Sequence, residues 1–180
     1  AAAKKNSLAI TLLGIINLSK GNTSIAIKQF EEAAKLNDSL AITKLGDYYV
    51  SLGEDKKAES YYIKGDNLGS LESTAKLGMI YADKGYKSSI TYLKKAIERG
   101  SLDAQVRLAR MYLTGDIVLK DPIQASKMFL HAAENGNIEA LYFASICYQQ
   151  GLGVKKDLAT AALLAKKAAD LGNSYAQFLY

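Results

Sequence analysis

The sequence predicts an all-α fold, an α-solenoid in which antiparallel helix pairs stack into a right-handed superhelix. Its composition favours helices: of 180 residues 49% are apolar, one is proline, and fourteen glycines interrupt alanine-rich stretches. A pattern of small and apolar residues also returns every 31 to 36 residues, and within each period it follows the spacing of one helix face. A period of this length holds two helices, and such pairs bury their apolar faces by stacking.

The periods align on a small residue in the first helix, which is followed four residues later by leucine in most periods. The aligned starting residues are Ala9, Ala41, Ser73, Ala104, Ala140 and Ala176. Five residues after the start the side chain is small or missing, so the partner helix can approach closely. These small residues are Gly14, Gly46, Gly78, Ala109 and Ser145. From the second period on, a tyrosine stands eight residues after the start and is expected to fill the space beside this contact.

The second helix of each period is aligned on Ala26, Ala58, Ser89, Ala125 and Ala161. It is predicted to stop eleven residues later, at Asn37, Gly69, Gly100, Gly136 and Gly172. Glycine and asparagine suit these places because the residue after a helix end often turns left-handed, where a Cβ atom is costly. Asp121 and Asp157 are predicted N-caps, and Pro122 takes the first-turn position that needs no N–H.

The pattern predicts a single repeat domain, 1–180, made of five units and part of a sixth. The units are 7–38, 39–70, 71–101, 102–137 and 138–173, followed by a truncated unit at 174–180. In the first unit Asn17 stands where the other units have tyrosine, and apolar residues surround it. This unit is either a degenerate terminal repeat or one that a preceding helix once covered. The sixth stops at Tyr180, one helix turn in, and we therefore expect the natural chain to continue.

The units resemble a known family. The fifth carries Ala140 and Tyr148, then the turn Gly151-Leu152-Gly153 before Asp157, then Ala161 and Gly172, and the fourth follows the same order. This pattern is similar to the Sel1-like repeat, a relative of the tetratricopeptide repeat. The first three units are shorter between their helices and closer to the tetratricopeptide form. The resemblance implies a helical repeat fold that serves as an adaptor or scaffold in multiprotein assemblies.

The repeat accounts for the residues that could otherwise indicate chemistry. His131, the only histidine, occupies a repeat position at which the other units carry charged residues, and it is expected on a solvated face. Cys147 occupies a repeat position at which the other units carry mostly apolar residues, and it is expected in the core. Gly151-Leu152-Gly153 lacks the spacing of a phosphate loop and joins two helices. The sequence therefore predicts no catalytic residue, cofactor or metal ligand, and no stretch of about 18 apolar residues that would span a membrane; the compartment stays open.

The resemblance to tetratricopeptide proteins also implies a binding groove lined by the first helices. The positions that correspond to that groove give a candidate partner-binding concave surface of Thr43, Asp47, Met79, Asp83, Arg110, Leu113, Tyr142, Ile146 and Gln149. Arginine and tyrosine are frequent hot spots because they combine a large contact area with directional hydrogen bonds. The alternative is that Tyr142 packs against the next repeat and that Arg110 pairs locally, with Asp103 or a neighbour.

Three functions follow from these observations. The leading hypothesis is an adaptor that binds other proteins or peptide segments, with no small-molecule substrate. The net charge of +5 raises a helical-repeat RNA-binding protein as the alternative. RNA binding is disfavoured because the lysines are scattered in pairs and no regular basic column crosses the units. An enzyme is disfavoured because no pair of carboxylates is placed to converge on a pocket, and because the repeat already explains the positions of the cysteine and the histidine.

Overall fold

The protein is all-helical over the part that the computed structural model describes, residues 2–179 for the backbone and 6–178 for the side chains. The helices are α1 (Ala2–Ser19), α2 (Thr23–Lys35), α3 (Ser39–Ser51), α4 (Asp55–Asn67), α5 (Leu71–Asp83), α6 (Ser88–Glu98), α7 (Leu102–Thr114), α8 (Pro122–Glu134), α9 (Ile138–Gln150), α10 (Leu158–Asp170) and α11 (Ser174–Leu179). No strand occurs among these residues. The predicted fold class, a repeat of packed helix pairs, is confirmed. Tyr180, predicted as the last residue of the truncated unit, lies outside the described residues.

Within each half of the chain, helices that are neighbours in sequence pack together. The contacts within pairs join α1 to α2, α3 to α4, α7 to α8 and α9 to α10, and those between pairs join α2 to α3, α6 to α7, α8 to α9 and α10 to α11. The chain forms two compact units, Ala1–Ile80 and Tyr81–Tyr180, and passes from one to the other within α5. We call them the first and second compact units.

The first compact unit is built around aromatic rings that lie directly on glycine. Phe30 and Tyr62 are fully or almost fully buried. A Cβ atom on Gly14 would stand 2.5 Å from Cε1 of Phe30, and one on Gly46 would stand 2.5 Å from Cε1 of Tyr62. The missing side chain in the first helix therefore creates the space that the ring of the second helix fills, as the small-residue column predicts.

The second compact unit has a core of alanines and a pair of phenylalanines. Its buried members include Ala109, Ala125, Ala140, Ala144 and Cys147. Phe129 is fully buried and stacks on Phe143 with ring centroids 5.0 Å apart. The small residues allow the backbones of α7, α8 and α9 to approach, and the two rings fill the volume between them.

The helix ends follow the predicted stops and caps. Asn37 has a φ of 58° and Gly136 a φ of 91°, so both adopt the left-handed conformation expected after a helix. Asp121 accepts a hydrogen bond from the backbone N–H of Gln124 at 2.9 Å. Asp157 accepts from Ala159 and Thr160 at 3.0 and 3.1 Å. Both N-cap predictions are confirmed.

Candidate functional site

Thr43, the first residue of the predicted surface, is fully buried. Its hydroxyl donates to the carbonyl of Ser39 at 2.8 Å and lies 2.7 Å from the hydroxyl of Ser73 on α5. The prediction that Thr43 lines an accessible surface is therefore wrong. Its column, two residues after each start, faces neighbouring helices instead: Thr11, Ala75 and Val106 are buried as well.

Asp47 lies at the surface of the first compact unit but is engaged in an internal network. Its Oδ1 accepts a 2.7 Å hydrogen bond from the hydroxyl of Tyr62 and lies 3.1 Å from Nζ of Lys76, while Oδ2 lies 3.4 Å from Nζ of Lys44. Partial burial alone would raise the pKa of Asp47, but the hydrogen bond from Tyr62 and the charges of Lys76 and Lys44 outweigh it and lower the pKa. Met79, the other predicted residue here, is partly exposed.

A cleft of about 540 Å³ opens in the second compact unit between the end of α5, the second half of α7 and the turn after α7. We call it the α7 cleft. Its lining includes Asp83 and Arg110, both predicted, together with Arg107, Thr114, Asp116 and Ile117. Two guanidinium groups and two carboxylates thus meet around one cleft.

Arg107 and Asp83 form an ion pair at this cleft. Nη2 of Arg107 donates to Oδ1 of Asp83. The side chain of Arg107 is 22% exposed and that of Asp83 69% exposed. Nε of Arg107 is buried and finds no acceptor among the described residues. A buried donor without a partner costs about 1–3 kcal/mol, so Asp83 alone does not satisfy this guanidinium.

Arg110 reaches toward α9. Its Nη1 lies 3.4 Å from Oε1 of Glu139, and its guanidinium stands over the ring of Phe143 at 5.2 Å from the centroid. Asp103 accepts instead from Nδ2 of Asn137 at 2.8 Å. Of the two interpretations of Arg110, the structure shows local pairing, with Glu139 rather than with Asp103. Both side chains of the pair are more than two-fifths exposed, and such surface pairs contribute little.

Tyr142 packs against the helix that follows, as the alternative interpretation held. Its ring stacks on Tyr175 of α11 with centroids 5.8 Å apart and meets Phe143 edge-on at 5.3 Å. Leu113 and Ile146 are partly exposed and Gln149 is exposed. These three remain available at the surface of α7 and α9.

The turn after α7 carries isoleucine at a position where the corresponding turn after α9 needs glycine. Ile117 has a φ of 66°, and 36 positions later Gly153 has a φ of 70°. A Cβ on Gly153 would stand 2.0 Å from the carbonyl oxygen of Pro122, so that turn requires glycine. Ile117 holds the same left-handed backbone with a β-branched side chain, a strain of about 1–3 kcal/mol.

The other residues considered for chemistry lie where the repeat predicted. His131 is exposed, and its Nδ1 lies 3.0 Å from Nε2 of Gln105. Cys147 is buried, and burial raises its pKa to about 11. Among the described residues no group of three or more His, Cys, Asp or Glu side chains could hold a metal ion. Within the same residues no helix is long and apolar enough to cross a lipid bilayer.

Sequence reasoning missed Arg107, Asp116 and Ile117. Arg107 lies three residues before the predicted Arg110 and so shares its helix face. Ile117 could have been found by aligning the two longer turns, which places it opposite Gly153. The groove positions carried over from the tetratricopeptide form include none of the three. They skip Arg107 on α7, and the shorter turn of that form has no counterpart of Asp116 and Ile117.

Comparison with known proteins supports the repeat assignment. A family model described as Sel1 repeat matches residues 72–101, 102–137 and 138–173, together more than half of the chain. The chain is 32% identical over 96 residues to the DAP3-binding cell death enhancer 1 of Rattus norvegicus, covering 53% of this chain and 18% of that protein. It is 35% identical over 92 residues to the chitin synthase regulator SKT5 of Saccharomyces cerevisiae, covering 51% and 13%. The chain thus spans less than a fifth of the length of these relatives.

Two solved structures share the fold. A Sel1 repeat protein from Oxalobacter formigenes superposes with a TM-score of 0.85 at 28% identity, covering 98% of this chain and 75% of that one. A protective antigen of uropathogenic Escherichia coli strains, which displays an SLR fold, superposes with a TM-score of 0.83 at 27% identity, covering 94% and 39%. Three matched repeats on helices that pack in sequence-adjacent pairs place this chain in the Sel1 repeat family.

Proposed function

We propose that this protein is an adaptor that binds partner proteins or peptide segments on the surface of its helix pairs and so assembles a multiprotein complex. The α7 cleft carries the proposal, because it gathers arginine, carboxylate and hydroxyl groups beside apolar side chains. Arginine-rich, partly apolar surfaces are typical of interaction hot spots. The names of two relatives support the same function, since one is described as DAP3-binding and the other as a regulator of chitin synthase.

The proposed surface in the second compact unit consists of the cleft and the neighbouring exposed part of α9. From the predicted set it keeps Asp83, Arg110, Leu113, Ile146 and Gln149. Tyr142 contributes by fixing the position of α9 against α11 through its stacked ring. In the first compact unit, Asp47 and Met79 remain proposed contact residues, with Asp47 limited by its internal hydrogen bond to Tyr62.

Affinity capture with the purified chain tests the proposal. Proteins recovered from an extract of the source cells are identified by mass spectrometry and their binding is repeated with purified partner. Arg110→Glu is expected to reduce recovery at least tenfold, because it reverses a partly exposed charge at the cleft.

Lys127→Glu provides the matched control. It makes the same change of charge at an exposed position on α8, away from the cleft lining, and is expected to leave recovery unchanged. Equal recovery by the wild-type chain and Arg110→Glu would remove the cleft from the binding surface. Recovery of RNA in place of protein would contradict the adaptor function itself.

A further inference from the structure

The two guanidinium groups of the α7 cleft stand one turn apart on the same helix. Arg107 and Arg110 both line the cleft, together with Met111. Residues three apart share a helix face. Arg107 now points to Asp83 and Arg110 to Glu139, and both side chains remain part of the lining of one cleft. Nε of Arg107 lacks an acceptor among the described residues. An unsatisfied buried donor of this kind calls for a further acceptor.

The present partners of both arginines are easily displaced. Asp83 contacts Arg107 through one carboxylate oxygen, and its side chain is 69% exposed. Glu139 lies 3.4 Å from Arg110, at the far end of hydrogen-bond distance, and is 49% exposed. Exposed ion pairs are weak, whereas an arginine that receives a carboxylate with two parallel hydrogen bonds binds it more strongly and in a defined orientation.

The rest of the lining suits a peptide better than a small anion. Met111, which is 3% exposed, and the partly exposed Ile117 are apolar members of the lining, against which an aliphatic side chain can pack. Asp116 is oriented by a 2.7 Å hydrogen bond from the hydroxyl of Thr114, and a carboxylate has further lone pairs that accept from peptide N–H groups.

We propose that the α7 cleft binds a carboxylate of a partner peptide through Arg107 and Arg110, with an adjacent aliphatic side chain against Met111 and Ile117. The carboxylate takes the place of Asp83 at the guanidinium of Arg107, and a rotation of that group brings Nε to the new acceptor. This inference rests on the proposed adaptor function and names the partner chemistry of the same site. The carboxylate belongs either to an aspartate or glutamate side chain or to the end of the partner chain.

Nuclear magnetic resonance titration with three synthetic hexapeptides tests the inference. The acidic probe is N-acetyl-Ala-Ala-Leu-Glu-Leu-Ala amide, and the neutral probe has glutamine in place of glutamate. The terminal probe is the glutamine peptide with a free C-terminal carboxylate. We expect a carboxylate-bearing probe to shift the backbone amides of Asp83, Arg107, Thr114, Asp116 and Ile117 with a Kd of about 1 mM or tighter, and the neutral probe to bind at least tenfold more weakly.

Variants assign the binding to the cleft. Arg107→Gln and, independently, Arg110→Gln are expected to weaken binding of the carboxylate probe at least tenfold, with amide spectra that stay dispersed. Arg99→Gln removes the third arginine of the chain, at the end of α6, and is expected to bind like the wild type. Preference for the acidic probe identifies a side-chain carboxylate, preference for the terminal probe identifies a chain end, and either supports the inference.

Equal binding of neutral and carboxylate probes, or no shift at the cleft amides with any probe, overturns the inference. So does equal binding by Arg99→Gln and both cleft variants. These outcomes are separable from a failure of the adaptor function. If captured proteins still bind but the carboxylate probes do not, the adaptor function stands and only the ligand chemistry is wrong. If no protein is captured, the adaptor function fails whatever the probes show.

Discussion

At the scale of single residues, the network around Asp47 couples a surface charge to the core of the first compact unit. Tyr62 is 1% exposed, and its hydroxyl donates to Asp47 at 2.7 Å. Burial and this hydrogen bond raise the pKa of Tyr62. The ionised carboxylate therefore accepts from an almost fully buried donor, and protonation of Asp47 weakens this hydrogen bond.

The stabilising contribution of Asp47 is expected to depend on pH. Because its folded-state pKa is lowered, the contribution is complete above the unfolded-state pKa, about 3.9, and is lost as the pH falls through the folded-state pKa. The difference in free energy of unfolding between the wild type and Asp47→Asn should therefore be constant from about pH 5 to pH 8 and shrink below about pH 4. Urea unfolding at each pH measures it. A difference that persists unchanged at low pH would contradict the lowered pKa.

At the scale of a helix pair, the contact between a glycine of the first helix and an aromatic ring of the second sets the distance between the two helices. Alanine normally stabilises a helix interior by about 1 kcal/mol relative to glycine. At Gly46 the new Cβ would stand 2.5 Å from the Tyr62 ring. We expect Gly46→Ala to lower the free energy of unfolding by about 1–3 kcal/mol, the usual cost of overpacking.

A double-mutant cycle tests whether the Tyr62 ring causes the loss of stability in Gly46→Ala. In a Tyr62→Ala background the same Gly46→Ala change should be neutral or stabilising, since the ring is gone. If Gly46→Ala costs the same in both backgrounds, the loss does not come from the ring contact.

Ile117 and Gly153 occupy equivalent positions in the two longer turns, but substitutions at them are expected to change stability in opposite directions. Ile117→Gly is expected to raise the free energy of unfolding by about 1 kcal/mol, because it removes the strain of a β-branched residue at positive φ. Gly153→Ala is expected to lower it by more than about 1 kcal/mol, because its Cβ would overlap the Pro122 carbonyl. Thermal and urea unfolding measure both. A loss of stability in Ile117→Gly would mean that packing of the isoleucine outweighs its backbone strain.

At the scale of the whole molecule, stability is expected to be distributed repeat by repeat. In repeat proteins each helix pair depends mainly on its neighbours. Destabilising Gly46→Ala should therefore reduce amide hydrogen-exchange protection in α3 and α4 more than in α9 and α10. Exchange followed by mass spectrometry measures this gradient. Uniform loss of protection from α1 to α10 would indicate one all-or-none unit instead.

The repeat pattern predicted much of the fold because its signals are local. Asn37 and Gly136 mark helix ends by their own backbone preference, and Asp121 and Asp157 mark helix starts by bonds to residues two or three positions away. The columns of small residues predicted which helices approach closely, because the pairing of neighbours follows from the order of the repeat.

The candidate site was predicted less well because it depends on contacts between distant residues. Thr43 and Tyr142 occupy equivalent positions, yet Thr43 is buried against Ser73 while Tyr142 stacks on Tyr175. Arg110 could reach Asp103 or Glu139 by spacing alone, and only the structure shows that it reaches Glu139. The α7 cleft brings the end of α5 together with α7 and the longer turn at Ile117, and the spacing within one helix does not predict that contact.

The burial of Cys147 makes the chain suitable for site-directed labelling. Cys147 is the only cysteine, and burial raises its pKa to about 11, so little thiolate is present at pH 7. Maleimide reagents react with the thiolate, so the native chain should remain unmodified while folded. A cysteine introduced at exposed Gln149 would then take up a fluorophore or crosslinker selectively. The exposed surface of α9 could thus be probed in the presence of a partner without first removing the natural thiol.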